Sequence, residues 1–127
     1  MNLSDYFESS QGTGILATSN STGRVDLAIY SRPHFTDEDT VAFIMRPRLT
    51  HENLQSNPHA AYMFIEEGPG YKGKRLYLTK LREETDPVII DSFRRKGGKH
   101  KARAEEKSFL VYFHIDRIRP LVGDNDK

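Results

Sequence analysis

The stretch TVAFIMRPRLTHENLQSNPHAAYMFI, residues 40–65, changes character three times. Thr40 to Met45 are almost wholly apolar and predict a strand. Arg46 and Arg48 flank Pro47, which stiffens the backbone between them and removes one amide donor. A short polar helix follows. Thr50 is its expected N-cap, Leu49 and Leu54 its expected inward side chains, and Asn57-Pro58 its stop, because the residue before proline avoids helical angles. Residues 60–66 then return to a strand. Two guanidinium groups beside a helix start make a place to hold an anion, since the dipole and the first amides converge there. If the strand runs on through Pro47, positions 46 and 48 share a face and reach one anion.

Upstream, residues 3–10 predict a short helix capped by Ser4 or Asp5, with Leu3, Tyr6 and Phe7 on its apolar side. Gly12 and Gly14 break it, and residues 14–19 read as a strand. Asn20-Ser21-Thr22-Gly23 carries hairpin-turn chemistry, so residues 24–31 return as a second strand. Pro33 and the acidic run Asp37-Glu38-Asp39 read as a polar loop. Downstream, residues 68–73 form a glycine-rich loop and residues 75–82 a fifth strand. Asp86-Pro87 is a strong helix start, with Val88, Ile89, Ile90 and Phe93 as the expected buried stripe. Residues 94–103 are basic and glycine-broken, and are expected to be exposed and mobile. Residues 108–117 close the chain as a sixth strand, and Pro120 opens a polar tail. Strands with local hairpins and inserted helices favour a single mainly β domain, a six-stranded β-barrel with flanking helices, over a doubly wound sheet.

With 127 residues the chain fits one domain with a real core. Nineteen Lys and Arg against 18 Asp and Glu leave a formal charge of +1, which gives no global pull towards nucleic acid. The absence of cysteine excludes disulfides, zinc fingers, iron–sulfur clusters and thiol nucleophiles, and fits a reducing cytoplasm. The polar start and short apolar runs predict a soluble protein without a signal peptide and without a membrane partner.

Motifs of familiar chemistry fail one by one. His51-Glu52 begins like a zinc-protease helix, but residue 55 is Gln and no histidine has ligand spacing, so no metal is expected. No GxSxG, GxGxxG or phosphate-binding P-loop is present, and Gly12-Thr13-Gly14 reads as a helix-to-strand turn. The basic block 94–103 lacks interleaved aromatic residues for stacking on bases. Residues alone lead to a small barrel on which Arg46 and Arg48 are either surface charge or a phosphate site.

The order GRVDLAIYSR, TVAFIMRPRLT, HENLQSNP, HAAYMFI and GYKGKRLYL resembles the pyridoxamine 5′-phosphate oxidase-like family of FMN-binding split barrels. The resemblance covers residues 3–122 and lies in order and spacing, not in one motif. It implies a six-stranded split barrel that forms a homodimer, with FMN in a groove at the interface. It places Tyr30, Ser31 and Arg32 near the ring and ribityl chain, and Arg46, Pro47, Arg48, Leu49, Thr50 and His51 around the phosphate. Leu49-Thr50 stands where the oxidases usually carry Arg-Lys, so Arg46, Arg48 or Arg32 is expected to supply the charge. The C-terminal Trp- and Arg-containing segment that binds vitamin B6 in the oxidases has no counterpart, which points away from vitamin B6 oxidation. The expected function is a small FMN-dependent oxidoreductase or electron carrier, with Tyr30 and His51 as positional candidates for proton transfer. A deazaflavin or haem in place of FMN, a non-catalytic binding module and a nucleic-acid-binding barrel remain alternatives.

Overall fold

The computed structural model describes residues 2–94 and 107–123. Among these residues the elements run α1 (Leu3–Ser9), β1 (Gly12–Ser19), β2 (Val25–Ile29), β3 (His34–Asp37), β4 (Thr40–Met45), α2 (Leu49–Ser56), β5 (His59–Glu66), β6 (Gly73–Glu84), α3 (Pro87–Ser92) and β7 (Phe109–Pro120). The strands form one antiparallel sheet in the order β2-β1-β5-β6-β7-β4-β3, an open sheet with β2 and β3 at its edges. It has seven strands rather than the expected six. The addition is β3, which the sequence presents as a polar loop. Pro33 precedes it, where a missing N–H breaks no ladder. His34 then pairs with Ala42 and Phe35 with Val41, and Phe35 packs on the core.

Alternation explains the core. Leu16 on β1, Phe43 on β4, Tyr62 and Phe64 on β5, Leu76 and Leu78 on β6 and Phe113 on β7 all point to one face. Helix α1 closes that face by inserting Phe7, fully buried, against Phe64 with ring centroids 5.2 Å apart. Its N-cap is Asn2, not Ser4 or Asp5: the Asp5 amide donates to Asn2 Oδ1 at 2.8 Å. Arg32 Nη1 fastens the other end by donating to the Phe7 and Ser10 carbonyls, at 2.9 and 2.8 Å.

The opposite face is divided. At one end α3 covers Ala42, Leu110 and Tyr112 with Ile90, and Phe93 packs beside them. Asp86 caps this helix by accepting from the Val88 amide, and Pro87 is its first residue, as expected. Val88 and Ile89 are exposed, because six residues present too little inward surface to bury every apolar position. At the other end, outward-facing Val25, Leu27 and Ile29 on edge strand β2 are 77%, 71% and 73% exposed. Most of residues 94–103 lies outside the described residues; Arg94 itself pairs with Asp91 at 3.0 Å.

The β6–β7 ladder shifts register twice. Asp116 is the extra residue on β7, and Leu81 the extra residue on β6. A bulge re-aims the side chains beyond it. Here it puts Lys80 and Glu83 on the same side of β6, where their side chains meet at 2.5 Å. Among the described residues no helix is long and apolar enough to cross a membrane.

Phe7→Ala should remove the plug of the buried face and cost about 3–5 kcal/mol, the range for a truncated core aromatic. Urea unfolding followed by circular dichroism measures it. A midpoint equal to the parent's would mean that α1 is not integral to the core.

Candidate functional site

Strand β4 stops at Met45 instead of running on through Pro47. The Arg48 amide donates to the Arg46 carbonyl at 2.8 Å, so the chain turns tightly around Pro47. The strand-face argument for the two arginines therefore fails, and a turn brings them to the start of α2 instead. Arg48, with extended φ and ψ of −122° and −177°, is the N-cap residue, and its carbonyl accepts the Glu52 amide at 3.0 Å. No side chain caps the helix. Thr50, expected in that role, lies inside the first turn and is 4% exposed, with its hydroxyl against the half-buried Tyr30 phenol. Leu49 is not inward but half exposed, whereas Leu54 is buried as expected.

Tyr30 follows directly on β2. Its amide donates to the Gly14 carbonyl at 2.9 Å, and its ring meets Phe43 edge-on with centroids 5.9 Å apart. Burial pushes the Tyr30 phenol above its ordinary pKa, against the pull of the Thr50 hydrogen bond. The Ser31 carbonyl accepts from Tyr62 Oη at 3.1 Å. This crossing explains Gly14, since a Cβ there would sit 2.0 Å from Tyr62 Oη and 2.3 Å from the Tyr30 carbonyl oxygen. Arg32 departs from the group, its guanidinium turned to the C-terminal end of α1.

His51 also points away from the helix start. Its ring stacks on Phe109 at 3.7 Å between centroids, and Nε2 donates to Glu83 Oε1 at 2.8 Å. Gln55, one turn further on, donates to Glu83 Oε2 at 2.6 Å, and Lys80 Nζ donates to the same oxygen. Burial disfavours the charge on Glu83, but the hydrogen bonds from Gln55, Lys80 and His51 outweigh it and hold the carboxyl at about 2. On the other side of α2, buried Asn53 Nδ2 donates to buried Thr18 Oγ1 at 3.1 Å.

The structure thus gathers Arg46, Pro47, Arg48, Leu49 and the backbone of Thr50 and His51 at one helix start, with Tyr30 joined through Thr50. Ser31 adjoins Tyr30, and Arg32 serves α1. Sequence reasoning missed Glu83, Lys80, Asn53 and Tyr62. The first two share a side only because of the Leu81 bulge, which leaves no pattern in the sequence. An open groove of about 740 Å³, lined by Ala17, Val25, Leu27, Asn57, His59 and Ala61 among others, lies along β1, β2 and β5. None of its lining residues is among the nine expected site residues, so the apolar groove and the arginine junction are separate features of one chain. Among the described residues no group of His, Asp or Glu is arranged to hold a metal ion.

No family model matches the chain, and no curated protein matches it by sequence. Solved structures do match. An FMN-binding protein from Syntrophomonas wolfei subsp. wolfei superposes with a TM-score of 0.79 at 16% identity, over 96% of this chain and 85% of the other. A protein related to general stress protein 26, of the pyridoxinephosphate oxidase family, from Clostridium acetobutylicum gives 0.69 at 12% identity, over 98% and 89%. The fold is that of the pyridoxamine 5′-phosphate oxidase-like split barrels. An F420 reductase shares this split barrel, with a TM-score of 0.74 at 15% identity over 94% and 98%. At such identities the likeness is one of fold.

The lowered Glu83 pKa has a consequence for stability. Its contribution is fully present above the ordinary carboxylate range and is lost as pH falls towards about 2. Glu83→Gln should therefore destabilise by roughly 2–3 kcal/mol near neutral pH and converge on the parent in strong acid. Urea midpoints across pH test this; a constant gap would show that the carboxylate is not held ionised by the fold.

Proposed function

We propose that the chain is an FMN-binding flavoprotein, a small oxidoreductase or electron carrier acting as a homodimer. The observation that carries this is the junction at residues 46–51. A tight turn sets Arg46 and Arg48 ahead of an eight-residue helix, in a fold shared with a solved FMN-binding protein. The chemistry of this donor set suits a phosphate: guanidinium groups bind it through charge-assisted bonds, and helix amides add fixed donors. Thr50 and His51 would contribute backbone amides, since their side chains are engaged with Tyr30 and Glu83. By the family resemblance, Tyr30 and Ser31 would lie along the ring. Arg32 would act at one remove, holding the segment that follows β2 against α1.

FMN, when bound, supplies the redox chemistry. The protein's part is to grip the phosphate, orient the ring and exclude water. Water exclusion calls for a second wall. The apolar side chains of Val25, Leu27 and Ile29 form a bare face on an edge strand, and an isologous contact with a second copy would cover it. A cysteine-free chain suits a reducing cytoplasm. The likeness to an F420 reductase favours a second reading, in which the bound ring is a deazaflavin.

Titrating FMN, riboflavin and a deazaflavin by fluorescence quenching tests both readings. FMN should bind tightest, and Arg48→Ala should weaken FMN by roughly ten- to a hundredfold while leaving riboflavin nearly unchanged. Preference for the deazaflavin would favour the second reading, and binding of none would end both. Light scattering should show a dimer for the parent and a monomer for Leu27→Asp. A monomeric parent would remove the second wall.

A further inference from the structure

Resting on the phosphate reading above, we propose that Glu83 and His51 are positioning residues for that site, a carboxylate hub on β6 that sets the first turn of α2. The helix is only eight residues long and has no side-chain cap. Isolated helices of this length do not hold themselves together in water. Its direction must come from what grips its sides. The inner side is gripped through Thr50 and Asn53, which meet Tyr30 and Thr18. With buried Leu54 they hold the inner edge of the helix and leave its outer side to other partners.

The hub supplies those partners. His51 and Gln55 are four residues apart, one above the other on a single helix face. They grip the two oxygens of Glu83 at 2.8 and 2.6 Å, and the His51 ring lies flat on Phe109. Lys80 satisfies the same carboxylate, and reaches the Leu54 carbonyl on α2 at 3.4 Å. One bulge, at Leu81, is what lets Lys80 and Glu83 act from the same side. His51 belongs to the turn whose amides would face the phosphate. Hydrogen bonds weaken steeply with misalignment, so a small roll of this turn would weaken each amide contact.

Removing the Glu83 charge separates positioning from plain electrostatics, because the two have opposite signs. A carboxylate near a phosphate repels it, so neutralisation alone would tighten FMN. Loss of positioning would weaken it. The measurement uses full-length parent, Glu83→Gln and Gln55→Ala, the latter at an exposed helix position where alanine supports the fold. Each is titrated with FMN and riboflavin, and amide hydrogen exchange is followed in the flavin-free proteins.

We expect Glu83→Gln to weaken FMN roughly tenfold, the scale typical of lost supporting contacts, with riboflavin within about twofold. Gln55→Ala should show a smaller loss of the same kind. Exchange should quicken more in α2 than in the β5–β6 ladder of both variants, whose protection should fall only by the global loss of stability. Tighter FMN binding, unchanged FMN binding, or equal loss for both flavins would each overturn the hub. A parent that binds no flavin would instead overturn the flavin reading on which the hub rests.

Discussion

Everything proposed for this split barrel depends on how a two-turn helix is held. Helix α2 lacks a side-chain cap, so its placement comes from partners on other elements. Thr18 on β1 and Tyr30 after β2 each take one of its side chains, and Glu83 on β6 takes two. The contacts are polar, and the Asn53–Thr18 bond is fully buried. A buried donor without its acceptor costs more than the bond contributes when made, so such pairs specify one arrangement strongly. The same logic runs through the residues after β2. Tyr62 crosses the Gly14 position to reach the Ser31 carbonyl, and Arg32 ties the chain to α1.

The sheet divides its labour between its faces. One face is filled by large side chains and sealed by Phe7. Among the described residues the other is covered by α3, at one end only. Burying three exposed β2 side chains is worth of order 1.5–3 kcal/mol each, enough to matter for association but not for the stability of the barrel. The apolar groove beside them and the arginine junction do not share lining residues.

Much of this was legible in the sequence. The hairpin at Asn20–Gly23 was readable because its turn residues have one dominant use, and Asn20 indeed bonds the Thr22 and Arg24 amides. Asp86-Pro87 was readable for the same reason. Strand β3 was not, since four residues with an acidic end look like loop and are strand only by pairing with β4. Thr50 looked like a cap because hydroxyls prefer caps, yet the tight turn at Pro47 starts the helix earlier, with Arg48 as the N-cap residue. The roles of His51 and Glu83 were invisible because they depend on a bulge 30 residues away in sequence from His51. Most strands and turns were therefore readable from periodicity and turn chemistry, the split barrel from the family resemblance, and the supporting contacts of the site from neither.

The central claim is that the flavin phosphate sits on the first turn of α2. Backbone amide chemical shifts test it directly, by comparing FMN with riboflavin on isotopically labelled protein. The account predicts that the Leu49, Thr50 and His51 amides move strongly downfield with FMN and little with riboflavin. FMN-specific shifts confined to other basic positions, such as Arg75 on β6 or Arg117 on β7, away from Glu83 and Phe109, would contradict it.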